Sequence, residues 1–372
     1  MDAGSPFDGV RDRVADVREI AVLRANRIGD FLFALPAIDA LRAAYPDARI
    51  TLLGSRIHEQ LLASRPSPID RVIVLPPAEG VNVTDGPPVH EDALERFFDA
   101  MRREAFDLAL QLHGGGRYSN PFTRRLGARV TVGLKADDAE PLDRSAPYVY
   151  FQSEISRALD VVALVGAEPV TLEPRLTVTV RDRADAARLV PVDGSPLALL
   201  HPGASDPRRE WPPEHFAAAG DAMAEAGLQV AVTGLSSERG TVERVIGRMR
   251  APAIDLCGRT TLGALLGLAE RARVVISNDS GPLHAATAVG APTVGIYWCG
   301  NLITGAPLTR ARHRPLISWR LDCAVCGTNC MTSWCDHTAT FVGEVRPEEV
   351  IAAAKDLLAA SSAAPAASLT AR

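Results

Sequence analysis

The sequence predicts an α/β protein of two doubly wound domains, each a parallel sheet with helices on both faces. Three observations carry that expectation. Short apolar runs alternate with helix-length stretches along most of the chain, as in strand–helix–strand units. The runs are apolar at successive positions, which strands buried on both faces require. A length of 372 residues exceeds one ordinary core and suits two.

Composition narrows the function classes. With 47% hydrophobic and 23% charged residues the chain is globular, and its net charge of −5 argues against the basic face that nucleic-acid binding needs. No run approaches the ~18 apolar residues that span a bilayer. Asp2, Asp8, Arg11, Asp12 and Arg13 make the N-terminus too charged for a signal peptide. A cytoplasmic protein with reduced thiols is expected.

Taken in order, residues 1–18 are polar and expected to be flexible. Glu19–Leu23 is the first strand, followed by the turn Arg-Ala-Asn-Arg-Ile-Gly-Asp at 24–30 and a helix over 31–44, stopped by Tyr45-Pro46. Further strands are expected at 50–53, 71–75, 107–112 and 129–132. The Pro-, Gly- and Asn-containing stretch 76–90 reads as a mobile loop. His113-Gly-Gly-Gly-Arg117 sits at a strand's C-terminal end, where such sheets bind ligands. Its glycines fit an anion nest or, somewhat better, a sharp turn. A helix over 152–165 and a variable stretch, 171–192, complete the first domain, 19–190.

Pro191-Val-Asp-Gly-Ser-Pro196 is the expected linker. The second domain, 191–360, continues with strands at 197–200, 228–233, 253–256, 274–278 and 293–297, and helices at 213–226, 237–249, 262–271 and from Pro282. An irregular stretch after Trp298 holds Cys323, Cys326, Cys330 and Cys335. A helix over 347–360 and a disordered Ala/Ser-rich tail, 361–372, end the chain.

Several chemistries lack their motifs. The chain has no Gly-x-Gly-x-x-Gly after a strand, no P-loop and no Asp-x-Asp pair to carry a divalent metal on a sugar nucleotide. A metal-free anion site needs basic side chains and N–H groups. Ser-Asn-Asp-Ser-Gly-Pro-Leu-His at 277–284 supplies a strand end running into a helix start, which fits an anion seat and an ordinary connection equally well. His201-Pro-Gly-Ala-Ser205 and Arg208-Arg209 follow another strand end. A guanidinium bound to phosphate contributes roughly 1.5–3 kcal/mol per charge-assisted hydrogen bond, against about 0.3–1 kcal/mol from a helix terminus. The arginine therefore sets affinity and the turn sets position.

Other candidates are ambiguous locally. Glu238, after Thr233-Gly234, suits ribose hydroxyls or a helix N-terminus. His284 suits a buried structural role, and Asp30 suits a helix cap better than a general base.

The ordered motifs carry a resemblance. Residues 20–38, Ile-Ala-Val-Leu-Arg-Ala-Asn-Arg-Ile-Gly-Asp-Phe-Leu-Phe-Ala-Leu-Pro-Ala-Ile, resemble the N-terminal motif of the family 9 glycosyltransferases, the ADP-heptose:lipopolysaccharide heptosyltransferases. Residues 201–216, Val232-Thr233-Gly234 with Glu238, and 277–298 resemble that family's second-domain motifs in the same order. The cysteines resemble the tail of its heptosyltransferase II branch.

The resemblance implies the glycosyltransferase B fold, two Rossmann-like domains facing across a cleft, with acceptor on the first and donor on the second. It implies Asp30 as catalytic base. It places Ser205, Arg209, Thr233, Gly234, Glu238, Asp279, Ser280, Gly281 and His284 at an ADP-sugar, with no cofactor required. Asn26, Arg27, His113 and Arg117 are candidates for the acceptor, a glycolipid or glycan. Many members carry Ser or Thr a few places before the Gly-Asp pair, where this chain has Asn26 and Arg27.

The expected reaction is inverting, metal-independent heptosyl transfer to a lipopolysaccharide core, with peripheral contact at the inner membrane face. Arg24, Arg27, Arg117, Arg124 and Arg125 offer charge to a phosphorylated or carboxylated acceptor. Two alternatives stand beside it: a glycosyltransferase of the same fold using another sugar nucleotide, and a non-catalytic nucleotide- or zinc-binding module. In the module Cys323, Cys326, Cys330 and Cys335 are the working part, with His337 a further ligand, although the spacing fits no common zinc pattern.

Overall fold

The computed structural model describes residues 12–82 and 91–363, the side chains of 361–363 excepted. Most of the expected flexible N-terminus, loop residues 83–90 and tail residues 364–372 lie outside the described residues. The chain divides into two compact units between Thr177 and Val178.

The first unit's strands are β1 (Glu19–Leu23), β2 (Arg49–Gly54), β3 (Arg71–Val74), β4 (Leu108–Gln111), β5 (Val130–Lys135) and β6 (Arg144–Pro147). Its helices are α1 (Ile28–Ala44), α2 (Arg56–Leu62), α3 (Glu91–Arg103), α4 (Ser119–Arg125) and α5 (Glu154–Ala163). The sheet order is β3-β2-β1-β4-β5-β6, all parallel, with Val22 in register with both Leu52 and Leu110. Central strands β1 and β4 are buried on both faces, which is why residues 20–23 and 108–110 are unbroken apolar runs, with Glu19 and Gln111 only at the strand ends. One face packs Leu23, Leu53, Phe98, Phe106 and Phe122 into a core.

In the second unit the order of elements is α6 (Val180–Leu189), β7 (Leu197–His201), α7 (Pro213–Glu225), β8 (Gln229–Val232), α8 (Arg239–Ile246), β9 (Ile254–Asp255), α9 (Leu262–Arg271), β10 (Ala272–Asn278), α10 (Gly281–Ala288), β11 (Thr293–Trp298), α11 (Cys299–Gly305), β12 (His313–Ser318) and α12 (Pro347–Ala363). Read from β9, the order is β9-β8-β7-β10-β11-β12, again all parallel and the same winding as the first sheet. The strand order reverses between β1 and β4 in one sheet and between β7 and β10 in the other. Open α/β sheets bind ligands outside the strand C-termini at such switch points.

Several local expectations changed. The division between units lies ahead of the 191–196 linker candidate, because residues 180–189 form a helix. Thr179 and Asp182 close a capping box at its start, and Ala186 and Val190 join the second unit's core with Leu197, Leu268 and Ala269. The stretch after Trp298 is not wholly irregular, since α11 and β12 occupy it. At the sheet edge β12 tolerates Pro315, a residue that speaks against a central strand. The helix expected at 237–249 starts as a 3-10 turn, Ser236–Glu238, before α8. Residues 361–363 continue α12 rather than beginning a disordered tail. No helix among the described residues is long and apolar enough to cross a membrane.

Candidate active site

At the second unit's switch point, strand ends and loops converge on one row of charged side chains. Asp279, just past β10, has a nearly buried carboxylate whose Oδ2 lies 3.0 Å from Arg209 Nη1. Its other oxygen, Oδ1, is 3.2 Å from His284 Nε2 on α10. The Arg209 Nη2 donates to Ser205 Oγ at 2.7 Å. These bonds take two of the five N–H donors a guanidinium carries, so the fork is held in orientation with donors remaining for an anion.

The turn itself is built around Ser280, the extended N-cap residue of α10, with Pro282 in the first helical turn where its missing N–H has no consequence. Ser280 Oγ lies 3.1 Å from Ser277 Oγ. The N–H groups of Gly281 and Leu283 belong to the first helical turn, whose donors the helix's own carbonyls cannot satisfy. A charged guanidinium and a helix N-terminus thus meet at one strand end. Asn278, fully buried, braces the surrounding loops: its Nδ2 donates to Pro202 O at 2.7 Å, and its Oδ1 accepts from Trp211 N–H at 3.0 Å.

Arg208 has a different role from its neighbour. It is buried, binds Asp206 through several N–H···O bonds, and stacks 3.7 Å from the Trp334 ring centroid. Of the adjacent pair, Arg209 alone joins Asp279.

Glu238 accepts from Leu235 N–H at 2.7 Å, which matches the local reading of a carboxylate at a helical start. The same carboxylate lies over Gly203, where a β-carbon would overlap it. Gly203 therefore matters for space, a role hidden until strands β7 and β8 are side by side. Thr233 is buried, donating to Leu200 O while facing His201 Nδ1 at 3.2 Å. Its side chain supports the site from behind. His201 Nε2 approaches Glu238 Oε2 at 4.0 Å, yet burial lowers the imidazole to about 4, so this contact is between a neutral ring and a carboxylate. Gly234 leaves no room for a side chain because Val242 packs against it.

On the first unit, Asp30 falls in the first turn of α1, inside the helix rather than before it. The N-cap is Arg27, and its side chain makes no capping bond. Asp30 Oδ1 lies 3.7 Å from Arg24 Nη2, and Arg24 Nε donates to the Asp30 carbonyl at 2.9 Å. Arg24 is buried and also binds Glu154 at 3.1 Å and the Leu112 carbonyl at the end of β4. This arginine, expected to meet the acceptor, instead bolts the β1 and β4 ends together beneath Asp30.

The acceptor candidates separate. His113 is buried and accepts from Ala25 N–H at 3.3 Å. Burial first, and then the Arg24 charge, lower it to about 4, so it is a neutral pin between loops. Asn26 Oδ1 is a buried acceptor with no partner among the described residues, beside the Asp30 turn. Arg27 is exposed. Arg117 is exposed and 3.5 Å from Asp138, while Arg124 pairs with Glu140 and Arg125 with Glu95. The glycines after His113 form a turn: the His113 and Gly114 carbonyls accept from Gln111 Nε2, and Gly116 takes a positive φ of 102° against Asn120.

The cysteines also regroup. Cys323, Cys326 and Cys335 come together with His337, whereas Cys330 Sγ faces the Thr328 carbonyl at 3.4 Å.

The model for glycosyltransferase family 9 (heptosyltransferase) matches residues 94–317. Lipopolysaccharide core heptosyltransferase OpsX of Haemophilus influenzae is 23% identical over 301 residues, 78% of this chain and 82% of that protein. A glycosyl transferase family 9 structure from Veillonella parvula superposes with a TM-score of 0.76 at 21% identity, covering 92% of this chain and 97% of that one. The E. coli ADP-heptose lps heptosyltransferase II structure gives 0.72 at 17% identity, covering 93% and 100%. The two structures share the fold, and the family match covers more than half of the chain, including Arg209, Glu238 and the 277–284 turn. This chain belongs to glycosyltransferase family 9 and is a glycosyltransferase.

Proposed function

We propose that the protein transfers a heptose from ADP-heptose to a hydroxyl of a lipopolysaccharide inner core, with inversion and without a catalytic metal. The observation that carries this reading is the Ser205–Arg209–Asp279–His284 row beside the N-terminus of α10. It provides oriented positive charge where a diphosphate needs it, and the names of the similar H. influenzae and E. coli proteins supply the heptose, the ADP and the lipopolysaccharide.

Asp30 removes the proton of the acceptor hydroxyl while its oxygen bonds to the anomeric carbon. The bond from that carbon to the diphosphate oxygen breaks in the same displacement, and ADP leaves with the electron pair. One displacement inverts the anomeric centre. Arg209 and the N–H groups of Gly281 and Leu283 stabilise the charge growing on the diphosphate. Asp279 orients Arg209, and Glu238 serves the ribose hydroxyls. Asn26, through its unpartnered Oδ1, receives a donor from the acceptor. The lack of any Asp-x-Asp pair supports a catalytic role for the guanidinium in place of a metal. A lipid-linked acceptor brings a cytoplasmic enzyme to the inner membrane face.

A thermal-shift panel of ADP, UDP, GDP and NAD tests this reading. At a hundredfold excess over Kd, a ligand adds about 2.7 kcal/mol, a shift of several degrees. ADP is expected to raise Tm and the others are not. A rise with UDP or GDP alone assigns a different sugar nucleotide, and no rise with any of the four contradicts the donor site.

A further inference from the structure

The segment between β12 and α12 raises a question of what holds it. Residues 321–337 contain no helix or strand of more than a single bridge, and Val325, Trp334 and Leu321 are exposed. Cys323 is its one buried apolar residue. Hydrophobic burial therefore does little to fix this stretch. The backbone is nonetheless folded tightly: Cys323 N–H donates to Thr328 O and Gly327 N–H to Cys323 O, each at 2.9 Å, and Gly327 adopts a φ of 73°.

This folding brings the ligand atoms of Cys323, Cys326, Cys335 and His337 within 4.8 Å of one another. We infer that these four residues bind one thiophilic transition-metal ion, zinc or iron, in a tetrahedral structural site. The donor set of three thiolates and one imidazole suits either metal. Bonds of about 2.3 Å to sulfur and 2.0–2.1 Å to nitrogen place tetrahedral ligand atoms roughly 3.5–3.8 Å apart, so closing the site on an ion draws no pair of its atoms together by more than about 1 Å. On binding, the three thiols each lose a proton, and the ion takes a lone pair from each sulfur and from the neutral ring.

The surroundings suit thiolates. Val325 N–H donates to Cys323 Sγ at 3.4 Å, and the Thr328 hydroxyl lies 3.2 Å from Cys326 Sγ, where it can serve a thiolate as donor. Cys330 also reaches the Cys335 side chain, but its sulfur faces the Thr328 carbonyl and it is not one of the four clustered ligands. The ion would anchor Trp334, the residue preceding Cys335, on which Arg208 stacks. Through that contact it would brace the loop carrying Arg209. No ligand of the proposed site is among the residues assigned to the diphosphate, so the site stands apart from the transfer chemistry.

The test is elemental analysis of the full chain, purified under reducing conditions without chelator after growth with added zinc and iron. About one equivalent of zinc or iron per chain is expected, zinc giving a colourless protein and iron a coloured one. Cobalt substituted for the native ion should show the visible bands of tetrahedral thiolate coordination. C326S and H337A should lose most of the metal, while C330S keeps the full equivalent. Metal below about a fifth of an equivalent in the wild-type chain overturns the proposal. So does full retention in H337A together with loss in C330S. The wild-type and cobalt measurements need no variant to fold.

Discussion

Arg209 Nη1 sits 3.0 Å from Asp279 Oδ2, and the opposite oxygen of that carboxylate is 3.2 Å from His284 Nε2. The pair joins a loop after β7 to the end of β10, the two strands at which the sheet order reverses. A single carboxylate therefore fixes a cation on one side and a helix start on the other. Asp279 is nearly buried, so taking away either partner leaves a charge poorly compensated.

R209A should weaken ADP binding by ~1.5–3 kcal/mol, roughly 10- to 150-fold, through loss of a charge-assisted contact and an unpaired Asp279. R209K should lose less, because an ammonium keeps the charge without the planar fork. Calorimetric titration with ADP checks both. Equal affinity in R209A and the wild type would remove Arg209 from the donor site.

Gly203 and Glu238 should behave as a coupled pair. A β-carbon at Gly203 overlaps the Glu238 carboxylate, so G203A should push that carboxylate away from Leu235 N–H, destabilising by about 1 kcal/mol through the lost hydrogen bond and weakening ADP binding. In the G203A/E238A double variant the clash is gone, and stability should recover well beyond additivity. Urea denaturation of the four proteins measures the cycle. Additive losses would show that the two residues do not press on each other.

Stability should fall as pH drops from 6.5 toward 4. His58, His113 and His201 are each lowered from an ordinary 6.5 to about 4, burial being the main cause and the Arg24 charge the second for His58 and His113. The unfolded chain takes up protons in that window and the folded chain resists them. The contribution is fully present above pH 6.5 and is lost as pH falls through the window. At pH 5 the loss is on the order of 2 kcal/mol per histidine. Urea midpoints at pH 7.5 and pH 5 should differ accordingly, with a smaller difference in H58Q. Identical midpoints in the wild type would contradict the burial argument.

Much of the architecture was legible because strands buried on both faces need continuous apolar runs, as β1, β4 and β7 have, their polar residues Glu19, Gln111 and His201 lying only at strand ends. Edge strands β6 and β12 escaped because edges need no such run and both contain proline. Arg209 was distinguished from Arg208 only by family resemblance. The physical distinction is tertiary: Asp206, Trp334 and Phe341 capture Arg208. His113 looked like a ligand at a strand end, and only the approach of Ala25 N–H shows it as a pin. Spacing along the chain favoured Cys330 over His337 as a fourth ligand, whereas the backbone turns bring the imidazole in.

The central claim is that Asp30 is the base of a heptosyl transfer whose leaving group is held on the second unit. D30N keeps the size and the place of the side chain in α1 while removing its ability to take a proton. Turnover of ADP-heptose with a lipopolysaccharide-core acceptor should fall by about 10²–10⁴-fold, while ADP raises Tm as it does in the wild type. Retained turnover with intact ADP binding would contradict the account.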